Sequence, residues 1–248
     1  MSGHSKWSNI KHRKGAQDAK RAKVFTRLGK ELTIAAKEAG GDPNFNPRLR
    51  LAIDKAKAAN MPKDNLERAI KKGTGELEGV DYMEIRYEGY GPEGTAFIVE
   101  VITDNKNRSA SEVRAAFSRN NGNLGTDGAV AWMFQRKGEI IVLAEGIDAE
   151  EFMMAALEVG ADDVIEEDGE FTVLTEQSQC NLVAEELKKL GYKVEESEVS
   201  MIPDNKVSIT DLETAKKVMD LYDVLDDLDD VNDVYSNFDI SEELLEQI

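Results

Sequence analysis

The sequence predicts an α+β protein of three domains: an N-terminal helical domain, a central α/β domain, and an inserted ferredoxin-like α/β domain. Three observations predict it. Residues 16–77 carry apolar side chains at helical spacing and no strand pattern. Residues 138–203 read β-α-β-β-α-β, the ferredoxin-like order. The segments on either side, 78–137 and 204–248, hold strands and helices that complete each other as one central domain. The expected boundaries are therefore 1–77, then 78–137 with 204–248, and 138–203 as the insertion.

Residues 1–15 are basic and polar, and read as an arm that orders on binding. Residues 16–39 read as a helix, with Phe25, Leu28, Leu32, Ala35, Ala36 and Ala39 on one stripe. Lys20, Lys23, Arg27 and Lys30 fall on nearly the opposite side, so the helix is expected to pack with one face and present cations with the other. Gly40-Gly41 ends it. Asn46 and Pro47 supply a cap and first residue for a second helix, and Pro62 opens a third over LERAIKK, closed by Gly73.

From Tyr82 the pattern turns to strands. MEIRYEGYG and GTAFIVEVIT flank a glycine-rich turn and predict a hairpin. Ser109 with Glu112 forms a capping box for the helix SEVRAAFSRN, and AVAWMFQR follows as a strand. The insertion reads GEIIVLA, a helix from Ala149 to Val159, ADDVIEE, EFTVLTE, a helix from Gln179 to Leu190, and YKVEESEVSMI. A helix containing Leu212, Ala215, Val218, Leu221 and Leu225, then a strand through Val234, Phe238 and Ile240, close the central domain.

Charge is segregated. Residues 1–75 hold 18 basic and 7 acidic groups, a net of +11, although the whole chain carries −18. The remainder holds 13 basic and 42 acidic groups, a net of −29. A basic end on an acidic chain is the pattern of a polyanion-binding segment, with the acidic part limiting docking to one face. A solvated charged surface without a partner is the plainer reading.

Enzymatic chemistry finds little support. Gly89-x-Gly91-x-x-Gly94 matches the dinucleotide fingerprint, but a strand follows it where the fingerprint needs a helix, so a hairpin turn is expected. The two histidines, His4 and His12, sit in the basic arm, away from the single cysteine, Cys180. No catalytic triad or metal-ligand spacing follows. The expectation is a non-enzyme with no cofactor, no metal and no small-molecule substrate. No apolar run approaches the roughly 18 residues of a membrane span, and no signal segment opens the chain, which points to a cytoplasmic protein.

The candidate nucleic-acid-binding residues follow from charge and stacking. Lys6, Lys11, Arg13, Lys14, Lys20, Arg21, Lys23, Arg27 and Lys30 are expected to release counterions on meeting phosphates. Trp7 stacks on an unpaired base or anchors the arm to the helical domain. His12 contacts nucleic acid or is simply exposed. Arg48 and Arg50 stand at a helix start, where backbone N–H groups also favour phosphate. Asn105, Asn107 and Arg108 form a second polar contact or merely a loop and cap. Charge reversal at Lys20, Lys23, Arg27 and Lys30 is expected to abolish binding and spare folding.

GHSKW at Gly3–Trp7, HRK at His12–Lys14, NPRLR at Asn46–Arg50, YEGYGPEG at Tyr87–Gly94, DNKNR at Asp104–Arg108, GNLGTDG at Gly122–Gly128 and SNFDI at Ser236–Ile240 together resemble the YebC/PmpR family. Asn121 and Lys106 depart from its commonest residues without removing a needed charge. The resemblance implies the same three-domain architecture. It also implies work on nucleic acid, since bacterial members are mostly known as probable DNA-binding transcriptional regulators. A mitochondrial relative activates translation of a cytochrome oxidase subunit, and bacterial members have been connected to stalled ribosomes. DNA, or ribosomal or transfer RNA with the ribosome, therefore both stand as partners. The protein is expected to be a monomer, and an acidic protein–protein adaptor is the rival from another class.

Overall fold

The computed structural model describes residues 17–167 and 169–248, with side chains from Ala22 onward except Glu242. The chain divides into two compact units: one runs through Met133 and resumes at Asn205–Ile248, and the other is Phe134–Asp204.

The first unit opens with three helices, α1 (Gln17–Ala39), α2 (Pro47–Ala58) and α3 (Lys63–Gly73). Leu32, Ala35 and Ala36 of α1 meet Leu49, Ala52 and Ala56 of α2 and Ala69 of α3 in one buried cluster. Alanines at the contacts let the helix axes approach closely. Gly73 shows how closely: a Cβ there would lie 2.3 Å from the Thr33 carbonyl oxygen. Buried Asn46 ties α1 to α2, its amide donating to the carbonyls of Ala35 (2.7 Å) and Gly40 (2.8 Å) while its oxygen accepts from the Leu49 N–H (3.0 Å). The Asn-Pro helix start is thus found as expected, and it doubles as a clasp.

The same unit continues with β1 (Met83–Tyr90), β2 (Ala96–Thr103), α4 (Lys106–Arg119) and the short β3 (Asn123–Leu124). After the insertion come β8 (Val207–Ile209), α7 (Leu212–Asp227), β9 (Val231–Ser236), β10 (Phe238–Ile240) and α8 (Glu242–Leu245). The sheet order is β3-β1-β2-β9, so the C-terminal segment completes the central sheet by pairing β9 antiparallel to β2. β8 and β10 form a separate parallel pair. Phe97, Val99, Val113, Phe117, Val218, Leu221 and Phe238 fill the core between sheet and helices, with Phe97 and Phe117 edge to face at 6.1 Å. The Gly89–Gly94 segment is the expected hairpin turn between β1 and β2, and Gly91 is required there because a Cβ would strike the Phe97 ring at 2.6 Å.

The second unit is β4 (Phe134–Leu143), α5 (Ala149–Glu158), β5 (Asp163–Glu167), β6 (Glu170–Glu176), α6 (Cys180–Lys189) and β7 (Val194–Pro203). Its all-antiparallel sheet has the order β5-β6-β4-β7, which is the ferredoxin-like arrangement. Ile140, Val142, Phe152, Phe171, Val173, Val183 and Leu187 form its own core.

Two local expectations are corrected. AVAWMFQR is not a strand of the central sheet: residues 131–133 turn as a short 3-10 helix, and β4 runs unbroken from Phe134 into the inserted unit. Ser109 does not cap a helix. The cap lies four residues earlier at Asn105, which accepts from the Arg108 N–H at 3.1 Å, so α4 starts at Lys106 and Ser109 is buried inside the helix. Among the described residues, no helix is long and apolar enough to cross a membrane.

Candidate nucleic-acid interface

Lys6, Trp7, Lys11, His12, Arg13 and Lys14 lie outside the described residues, as do the side chains of Lys20 and Arg21. The rest of the expected cationic stripe is placed, and it does not face outward. The Lys23 ammonium donates to the Asp226 carbonyl (2.7 Å) and the Asp227 carboxylate (3.0 Å). Arg27 donates to the Asp226 carboxylate at 2.9 Å and to the Asp226 carbonyl. Lys30 donates to the carbonyls of Ile102 (3.1 Å) and Asp229 (2.9 Å) and to the Asp230 carboxylate (3.2 Å). The face opposite the helical core therefore clamps the acidic turn that ends α7 and leads into β9. The physical reason is general: the last carbonyls of a helix lack intrahelical partners and carry the negative end of its dipole, so cations settle there.

Asp230 is the centre of this clamp. It is 5% exposed. Its carboxylate accepts from Arg108 Nη2 (2.8 Å), Arg108 Nε (3.0 Å), Ser109 Oγ (2.8 Å), Thr103 Oγ1 (3.0 Å) and Lys30. Burial pushes its pKa up, but the hydrogen bonds from Ser109, Arg108, Lys30 and Thr103 outweigh burial and hold it below the usual range. Arg108, expected as a nucleic-acid contact, also pairs with Asp104 at 2.8 Å. Its pKa is raised by hydrogen bonds to Asp104 and Asp230. Asn105 serves as the helix cap, and Asn107 is exposed beside it.

Arg48 and Arg50 are likewise engaged. Arg48 Nε and Nη2 grip Glu31 at 2.8 and 3.1 Å, and the same guanidinium reaches Glu38 (2.8 Å) and Glu84. Burial lowers its pKa, and hydrogen bonds to Glu84 and Glu31 more than reverse that. Arg50 donates to the carbonyls of Pro43 (3.1 Å) and Asn44 (3.2 Å), closing the α1–α2 loop.

Sequence reasoning missed a different set of cations. On α3, Arg68, Lys71 and Lys72 are exposed, as is Lys57 on α2. Arg68, Lys71 and Lys72 share one side at three- and four-residue spacing, opposite Ala69 and Ile70, which pack into the helical core. The signal is present in LERAIKK, whose helical spacing sets Arg68, Lys71 and Lys72 on one side. These groups have no carboxylate partner among the described residues, in contrast to the α1 stripe. By charge and access these cations are free to meet phosphates.

Comparison with known proteins gives a consistent result. Residues 5–76 match the family model described as the TACO1/YebC protein N-terminal domain, and residues 82–238 match the TACO1/YebC second and third domain. A probable transcriptional regulatory protein of Fusobacterium nucleatum is 73% identical over 248 residues, covering all of both chains. One from Geobacter sulfurreducens is 57% identical with the same coverage. The crystal structure of a conserved hypothetical protein from Aquifex aeolicus superposes with a TM-score of 0.83 at 47% identity, covering 95% of this chain and 97% of that one.

Proposed function

This chain belongs to the TACO1/YebC family, and on that footing we propose that it is a non-enzymatic, cytoplasmic, nucleic-acid-binding regulator of gene expression, acting on DNA in transcription, the process that its relatives' names give. The observation that carries the reading is the unpaired cationic face of α3, Arg68, Lys71 and Lys72 with Lys57 nearby in sequence, in a segment whose net charge is +11. The basic arm through Lys6, Lys11, Arg13 and Lys14 adds to it. Such groups gain affinity by displacing condensed counterions from phosphates. Lys23, Arg27 and Lys30 of α1 are left out of the contact surface because their charge is already met inside the fold.

A structured RNA is the second reading, supported by the charge order along α3. That helix carries Asp64 in its first turn, with Lys63 paired to Glu67, and places Lys71 and Lys72 in its last turn. A recognition helix places its N-terminal residues against base edges, where Asp64 beside a paired Lys63 and Glu67 is a poor fit. Contacts along a phosphate backbone suit the arrangement better, as in recognition of RNA by shape.

Binding of labelled duplex DNA and of a folded RNA across a salt series tests both. Reversing Arg68, Lys71 and Lys72 to Glu should reduce the steepness of the log–log salt plot by about 2–3, roughly 0.7–0.9 per lost phosphate contact. Melting should not change. Reversing Lys23, Arg27 and Lys30 instead should lower the melting temperature, because it sets three carboxylates against Asp226, Asp227 and Asp230. A salt-independent affinity, or an unaltered slope in the α3 variant, would overturn the reading. Association that survives nuclease would favour the adaptor.

A further inference from the structure

Trp132 is 72% exposed, in a segment that the fold holds rigidly in place. The loop between β3 and β4 is fastened by Glu88, which is 3% exposed. The Glu88 carboxylate accepts from the backbone N–H groups of Gly128 (2.9 Å), Val130 (2.8 Å) and Ala131 (2.7 Å). Burial raises the pKa of Glu88, and these three bonds outweigh burial and lower it. Val130 is fully buried and pegs the loop from below. A second fastening joins two aromatic residues: Tyr90 Oη donates to the Ala129 carbonyl at 2.9 Å, and Trp132 Nε1 donates to the same carbonyl at 3.1 Å.

These bonds leave a specific kind of surface. The polar ends of both aromatics are bonded to the Ala129 carbonyl, so the rest of their accessible area is ring surface. An indole serving as a core anchor would be buried, and here Val130 and Leu124 already do that work. The exposed neighbours along the loop are Asn121, Asn123, Thr126 and Asp127, with no large aliphatic among them. Asn123 pairs directly across from Tyr90, and the exposed Arg119 ends the helix that leads into that strand. One edge of the central sheet thus offers aromatic faces, amides and a guanidinium. Those are the parts that stack on bases, read base edges and meet phosphate in single-stranded recognition.

We propose that Trp132, with Tyr90 beside it, is a stacking platform for an unpaired nucleobase. The proposal rests on the nucleic-acid reading above and adds a site in the central domain, away from the α3 cations in sequence. Rigidity serves it, since a ring held before binding loses little entropy on stacking.

The test uses the full chain and a single-stranded RNA of about 12 nucleotides, a length within the known span of such sites. Trp132→Ala should weaken binding about 5- to 150-fold, the equivalent of one lost base stack at tenfold per 1.4 kcal/mol. Trp132→Phe should retain most of the affinity. Binding should quench tryptophan emission in the wild type by an amount missing in Trp132→Phe. An abasic strand of the same length should produce no such Trp132-dependent quenching. Unchanged affinity in Trp132→Ala, or equal quenching by the abasic strand, overturns the platform while leaving the α3 reading intact. A wild-type chain that binds neither strand overturns the platform, and one that also fails to bind the duplex DNA and the folded RNA overturns both. Should Trp132→Ala melt lower than the wild type, the abasic comparison, made on the wild-type protein, still decides.

Discussion

Asp230→Asn keeps the shape of the side chain and removes its charge from the centre of the α1–central sheet clamp. The carboxylate is 5% exposed and receives donors from Arg108, Ser109, Thr103 and Lys30. An amide in its place presents an N–H₂ toward at least one of these donors. Removing one partner of a buried ion pair costs about 3–5 kcal/mol. The lower end applies, because Arg108 keeps Asp104 and Lys30 keeps the carbonyls of Ile102 and Asp229. A loss of about 3 kcal/mol in a unit of this size lowers the melting temperature by about 6–12 °C. Circular dichroism or scanning calorimetry at pH 7 reads it directly. The pH dependence follows from the direction of the shift. The folded pKa of Asp230 lies below its unfolded value, so its stabilisation is full above about 3.9 and is lost as pH falls through the folded value. The gap between wild type and variant should therefore be constant from pH 7 to about 5 and narrow in stronger acid. A variant melting within about 2 °C of the wild type at pH 7, or a gap that widens in acid, would refute the clamp as a source of stability.

Two further outcomes follow from buried carboxylates of opposite character. Glu139 on β4 sits across from Glu198 on β7, and burial, with the Glu198 charge added, pushes its pKa up to about 7. Its folded pKa is raised, so stability is full below the unfolded value of about 4.3 and is lost as pH rises through about 7, by about 3 kcal/mol at pH 8. Glu139→Gln should flatten that loss, read by urea unfolding at pH 5 and pH 8; an identical pH dependence in both proteins would exclude it. Glu88→Gln removes an anionic acceptor from three backbone N–H groups and should cost about 2–3 kcal/mol. Faster hydrogen exchange at Gly128, Val130 and Ala131 should accompany it, and unchanged exchange there would show that Glu88 does not hold the loop.

The elements legible in the sequence were those set by local rules. Helical periodicity located α1, the Asn46-Pro47 pair located the start of α2, and alternation with turn residues located the ferredoxin-like order of the insertion. The hairpin reading of Gly89–Gly94 held for the same reason, since the strand that follows is a local fact. Ser109 and AVAWMFQR were misread because each satisfied a local pattern that a distant partner overrides. Ser109 is drawn into the core by Asp230, 121 residues away. The loop holding residues 128–131 is bent by Glu88, about 40 residues upstream.

The cationic stripe of α1 failed for a deeper version of that reason. Periodicity shows that a face lies opposite one core; it is silent on whether water or protein covers that face. Lys23, Arg27 and Lys30 meet carboxylates about 200 residues further along the chain. Charge segregation along a sequence therefore has two physical outlets, an external polyanion and an internal one, and Lys23, Arg27 and Lys30 use the internal one. The acidic segment at Asp226–Asp230 does for the α1 stripe what phosphate was expected to do. Within the helical domain, the cations whose side chains have no ion-pair or hydrogen-bond partner among the described residues are then Lys57 and those near the end of α3, rather than the face of α1.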